Sequence, residues 1–108
     1  MELTSKQRAQ LRGIANNIDT ILMVGKEGIG ENLTKQANDA LEAREIIKGK
    51  VLDNALMSAR EVAEALAPLT RSEVVQVIGT KFVLYRPTHK QDKKDRIILV
   101  KERKKRSV

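Results

Sequence analysis

Ile21-Leu22-Met23-Val24-Gly25-Lys26-Glu27-Gly28-Ile29-Gly30-Glu31 joins an apolar run to a glycine loop, and the loop to the start of a helical pattern. Four apolar residues ended by glycine predict a buried strand over residues 21–24. From Glu31 onward, Leu33, Ala37, Ala40 and Leu41 recur at helical spacing and predict a helix with one buried stripe. A glycine loop between a strand and a helix suits phosphate. Glycine takes positive φ and lets a ligand approach the backbone, and the first amides of the helix carry the positive end of its dipole without internal partners. Lys26 adds a mobile positive charge. Glycines at the first, fourth and sixth positions of this loop match neither the dinucleotide fingerprint (first, third and sixth) nor the nucleotide P-loop, which closes on Lys and Ser or Thr. No nucleotide cofactor is expected.

Upstream, Thr4 and Gln7 have the spacing of a capping box, and Leu3, Leu11, Ile14 and Ala15 share a face, so a first helix is predicted over residues 5–16. Arg8 and Arg12, four residues apart, share another face. Downstream, residues 45–52 read as a strand with Ile46, Lys48, Lys50 and Leu52 on one side and Ile47, Gly49 and Val51 on the other. Two lysines on one side imply a sheet with one wet face. A helix over residues 58–69 points Ala59, Val62, Ala63 and Leu66 inward, with Pro68 near its end. Strands over residues 73–78 and 81–86 are joined by Gly79-Thr80, a two-residue hairpin in which glycine supplies positive φ. Residues 96–100 are expected to add a short edge strand. The order α-β-α-β-α-β-β predicts an α+β fold, a two-layer α/β sandwich with a mixed sheet. Residues 1–87 form the domain, and residues 88–108 form a basic tail expected to be partly disordered.

At 108 residues the chain makes one domain able to bury a core without staples. With no cysteine and one histidine it lacks the ligands for a structural zinc or an iron–sulfur cluster, and has no thiol nucleophile. No apolar run approaches the roughly 18 residues of a membrane span, and residues 1–5 lack the basic-then-apolar order of a secretory signal. A soluble, cytoplasmic protein is expected. The net charge of +7 is unevenly spread: residues 1–86 hold 12 Lys or Arg against 11 Asp or Glu, and residues 87–108 hold 9 against 3. Such a tail suits RNA or DNA, because each neutralised phosphate releases counterions. Catalysis finds little support. His89 stands in a polar stretch beyond the last strand, Glu61 and Glu64 read as an exposed helix face, and Asp92 and Asp95 lie in the charged tail with no metal framework around them. Phe82 and Tyr85 are the only aromatics, and an offset of three sends them to opposite sides of their strand, one of them into the core. Base stacking on paired rings, as in an RRM, is therefore not expected.

Gly25-Lys26-Glu27-Gly28 has the GxxG form with which KH domains clamp a nucleic-acid backbone. Three blocks occur in order: Val24-Gly25-Lys26-Glu27-Gly28, Ala40-Leu41-Glu42-Ala43-Arg44-Glu45-Ile46-Ile47-Lys48, and Val75-Gln76-Val77-Ile78-Gly79-Thr80-Lys81-Phe82-Val83-Leu84-Tyr85-Arg86-Pro87. With the opening Leu3-Thr4-Ser5-Lys6-Gln7-Arg8, they resemble the YhbY-like CRM-domain family over about residues 3–87. The resemblance implies an RNA-binding domain related in fold to the C-terminal domain of translation initiation factor three, with an added N-terminal helix. Stand-alone prokaryotic members associate with precursors of the large ribosomal subunit, and plant relatives act in intron splicing. A monomer binding large-subunit rRNA or a pre-ribosomal particle, without cofactor or metal, is the expected role. Its RNA surface would combine Gly25, Lys26, Glu27, Gly28, Ile29 and Gly30 with Arg8 and Arg12 on the first helix and Lys48, Lys50 and Lys81 on the sheet. Two features depart from the family pattern. Glu27 stands where family loops often carry a small residue, and the tail is longer and more basic than a minimal member needs. The competing expectation is a DNA-coating chromatin protein of similar fold; an RNA-modifying enzyme is disfavoured.

Overall fold

Local signals place every element, and the computed structural model describes residues 3–87 and 97–99. The chain runs α1 (Ser5–Ala15), β1 (Thr20–Val24), α2 (Glu31–Arg44), β2 (Ile46–Val51), α3 (Ala59–Thr70), β3 (Glu73–Ile78) and β4 (Lys81–Tyr85). Thr4 closes the start of α1 with the full capping box: its hydroxyl accepts from the Gln7 amide at 3.1 Å, and the Gln7 side chain accepts from the Thr4 amide at 3.0 Å. Ser58 and Glu61 do the same for α3. Glu61, expected as part of an exposed face, is therefore the second half of a cap, and Glu64 pairs with Arg60 at 3.4 Å. Pro68 is tolerated near the end of α3, one turn before Arg71 takes a left-handed conformation (φ 55°) and stops the helix.

The sheet order is β1-β2-β4-β3, with β1 and β2 parallel and β4 antiparallel to both neighbours. The α2 crossover joins the parallel pair. The α3 crossover overshoots by one strand, and the hairpin returns β4 into the gap, with Gly79 at φ 56°. β4 thus runs through the centre of the sheet, covered on both sides, and four of its five residues are buried.

α2 and α3 pack on one face over Leu22, Val24, Ile47, Val51, Phe82 and Leu84, making the expected two-layer body. The added helix α1 lies on the other face over Ile46, Val75, Val83 and Tyr85. The expectation of one buried aromatic is corrected by this second core. Phe82 and Tyr85 do point to opposite faces, yet both are buried, because each face has a helix to cover it. The wet face predicted from Lys48 and Lys50 is wet over only half its extent for the same reason.

The edge strand expected over residues 96–100 is not formed at Ile97, Ile98 and Leu99, which are irregular. Side chains take up their backbone instead: Glu45 Oε1 accepts from the Ile97 amide, and Gln10 donates to the Ile98 carbonyl at 2.8 Å. Ile97 and Leu99 pack against the α1-side core. The other residues of the basic tail, His89, Asp92 and Asp95 among them, lie outside the described residues.

Candidate nucleic-acid interface

The parallel pair puts two loops side by side at the carboxyl ends of β1 and β2, where open sheets commonly bind ligands. Loop 25–30 leaves β1 just past the Val24–Val51 pair, and loop 52–58 leaves β2 at the same level. The Leu52 amide donates to the Val24 carbonyl at 2.8 Å and ties the two together. Within the first loop, the Gly28 amide donates to the Gly25 carbonyl at 3.0 Å, closing a tight turn with Lys26 and Glu27 exposed at its tip. Gly28 has φ 68°, a conformation that a β-branched residue adopts only under strain. Asn54 and Leu52 back Gly25, and Met57 backs Gly28: a Cβ at either glycine would lie 3.7–3.9 Å from them. Loop 52–58 is the part of this region that the motif reading missed. Its signal was topological, since a strand-helix-strand unit sets the loops after its two parallel strands next to each other.

Gly30 is the N-cap of α2 and has no side chain to offer the first amides, in contrast to the boxed starts of α1 and α3. Gly30, Glu31 and Asn32 are exposed, and the positive end of the dipole at this start of α2 is tempered by Glu31 in the first turn. Ile29 is half-buried against the main core, so it anchors the loop through its side chain and has only its backbone to offer a ligand.

The remaining predicted residues divide by location. Arg8 is half-buried, and its Nη1 donates to the Val74 carbonyl, where the β3–β4 register shifts. It holds α1 to an edge strand. Arg12, one turn later, is exposed. Lys48 and Lys50 share a face as their spacing implied, and strand pairing brings Lys81 to them: Lys50 pairs directly with Lys81 across β2 and β4, and Lys48 lies two residues along the same face. They occupy the half of that face which α1 leaves open, where Lys48 and Lys81 border a cleft of about 180 Å³ that Asn16 and Gln76 also line. Arg86, unremarked in the sequence, is a structural clamp. Its guanidinium donates to Asn38 Oδ1, the Thr70 carbonyl and Glu42 Oε2 at 2.9–3.1 Å, joining α2 to α3. Among the described residues no three His, Cys, Asp or Glu side chains gather as a metal site, and no helix is long and apolar enough to cross a membrane.

The probable RNA-binding protein YqeI of Bacillus subtilis is 48% identical over 84 residues, covering 78% of this chain and 88% of its own. An RNA-binding protein of Haemophilus influenzae is 33% identical over 86 residues, covering 80% and 87%. The solution structure of the hypothetical protein SAV1595 from Staphylococcus aureus superposes with a TM-score of 0.74 at 49% identity, over 92% of this chain and all of that one. The CRS1/YhbY (CRM) domain model matches residues 3–86, and the chain belongs to that family.

Proposed function

We propose that the protein is a non-enzymatic RNA-binding factor, a cytoplasmic monomer that engages rRNA of precursor large ribosomal subunits through loop 25–30 and the lysine-bearing half of the sheet. One observation carries the reading. The glycine turn, the uncapped start of α2 and the Lys50–Lys81 pair sit at the same end of the sheet, since Met23 pairs with Lys50 only two residues before Gly25. Amides and ammonium groups there present donors to phosphate without an acid on the sheet face beside them. Relatives named as RNA-binding proteins support RNA as the polymer, and a stand-alone CRM domain supports the ribosomal role by analogy with the family.

The Gly25-Lys26-Glu27-Gly28 turn supplies close backbone approach, Lys26 a point charge and the amides from Gly30 to Leu33 at the start of α2 a dipole-backed seat. Exposed Arg12 extends the surface along α1, and Arg8 contributes by fixing that helix in place. Backbone charge and RNA shape, more than base identity, set the affinity of such a surface. Lys26→Ala is expected to weaken binding to structured RNA and to lower the slope of log affinity against log salt by about 0.7 to 0.9, with an unchanged melting temperature. Co-sedimentation of the protein with precursor large subunits on a density gradient tests the target. Migration only with free RNA, or equal binding to duplex DNA at matched salt, would overturn the assignment.

A further inference from the structure

The open half of the sheet carries more than charge. Reading across all four strands at one level, the pairs Met23–Lys50, Lys50–Lys81 and Lys81–Ile78 make a single row: methionine, lysine, lysine, isoleucine. The row spans three interstrand steps, about 14 Å. Like charges directly opposite one another on a sheet repel, yet the two central positions are both lysine, and among the described residues neither has an ion-pair partner. Among the described residues the only acid on a strand is Glu73, paired with Tyr85, four residues along β4 from Lys81 and so about 13 Å away. An uncompensated pair of this kind is relieved when an anion settles on it.

The two ends of the row are apolar and in water. Met23 is 55% exposed and Ile78 62% exposed, both on edge strands, with α1 covering neither. A duplex presents phosphates and sugars to such a surface and leaves Met23 and Ile78 without partners. An unpaired strand presents both phosphates and base faces, and a polarizable thioether and a branched aliphatic chain flanking two ammonium groups match that alternation.

From this row we infer that the open half of the sheet is a seat for an unpaired RNA segment a few nucleotides long, its phosphates over Lys50 and Lys81 and its bases against Met23 and Ile78. Lys48, Gln76 and Asn16 border the seat along the neighbouring level and the end of α1. The inference rests on the RNA-binding reading above and specifies it: the preferred ligand is a paired stem, held at loop 25–30, that continues into a single strand on the sheet.

The test compares a blunt RNA duplex with the same duplex carrying an oligoadenosine overhang, using the full chain. The wild-type protein binds the overhang form more tightly. Met23→Ser combined with Ile78→Ser, both at exposed positions, loses that gain by about fivefold while keeping its affinity for the blunt duplex and its salt slope. Lys50→Gln with Lys81→Gln lowers the slope on the overhang form by about 0.7 per lysine. Melting curves confirm folding, and either single serine variant, expected to lose part of the gain, replaces the double one should it unfold. An overhang gain that survives the serine substitutions overturns the seat, as does a wild-type protein indifferent to the overhang, or competition by polyglutamate equal to that by oligoadenosine. Binding to neither RNA form would instead bring down the RNA-binding reading itself.

Discussion

Gly49 and Gly13 are both glycines inside regular elements, and the fold requires only one of them. Gly49 lies in β2 directly opposite Phe82, and a Cβ there would come within 2.3–2.8 Å of the ring. Phe82 is fully buried, so the ring has nowhere to retreat, and Gly49→Ala is expected to cost about 1–3 kcal/mol, measured by denaturant unfolding. Gly13 sits in exposed helix with nothing within 4 Å of a Cβ. Gly13→Ala is expected to stabilise by about 0.5–1 kcal/mol, because alanine surrenders less backbone entropy in a helix. A period-two pattern reveals that Gly49 shares a face with Ile47 and Val51; which ring covers it depends on strand pairing, which the pattern does not contain. The same holds for Arg8 and Arg86. Each is an arginine at a surface-like spacing, and each is spent inside the fold, on the Val74 carbonyl and on the α2–α3 junction respectively.

Elements were legible wherever their signal is local. The capping box at Thr4, the buried stripes of the helices and the glycine of the β3–β4 turn fix starts, faces and stops to within a residue or two, because each depends on neighbours three or four positions away; the Ser58–Glu61 box is an equally local signal that the helical pattern alone did not mark. The insertion of β4 between β2 and β3, the second core beneath α1 and the irregular course of residues 97–99 depend on partners tens of residues apart, and composition does not encode them. Loop 25–30 lies between these cases: its glycines mark a turn, but only the neighbouring loop 52–58 shows that the turn is supported from behind. Gly28→Val is therefore expected to harm the protein more than Lys26→Ala does. The branched side chain must adopt φ near 68°, at a cost of about 1–2 kcal/mol, or the turn must open and carry the α2 amides away from their present direction. Chemical denaturation and RNA titration of the same variant separate the two effects; unaltered stability together with unaltered affinity would make the loop a tolerant connection with no part in binding.

Across the whole molecule, charge and shape are separated along the chain. Residues 1–86 are close to neutral while residues 87–108 carry a net +6, so long-range attraction comes mainly from the tail, and under the proposed function discrimination falls to the folded surface with its glycine turn and opposed lysines. Deleting residues 101–108 removes five basic residues and one acidic residue and leaves every described core residue in the chain. Affinity for any polyanion should fall strongly at low salt and the salt slope should drop, since fewer phosphates are neutralised. The preference for structured RNA over duplex DNA should persist, because the contacts that follow the shape of the nucleic acid are those proposed for loop 25–30 and the sheet. Thermal stability should barely change, as Ile97 and Leu99, which pack on the α1-side core, are retained. Parallel titrations of wild-type and truncated protein with a structured RNA and a DNA duplex, at low and at physiological salt, measure all of these quantities. A truncated protein that melts normally but no longer distinguishes the two polymers would transfer recognition to the tail and leave the folded domain as its carrier.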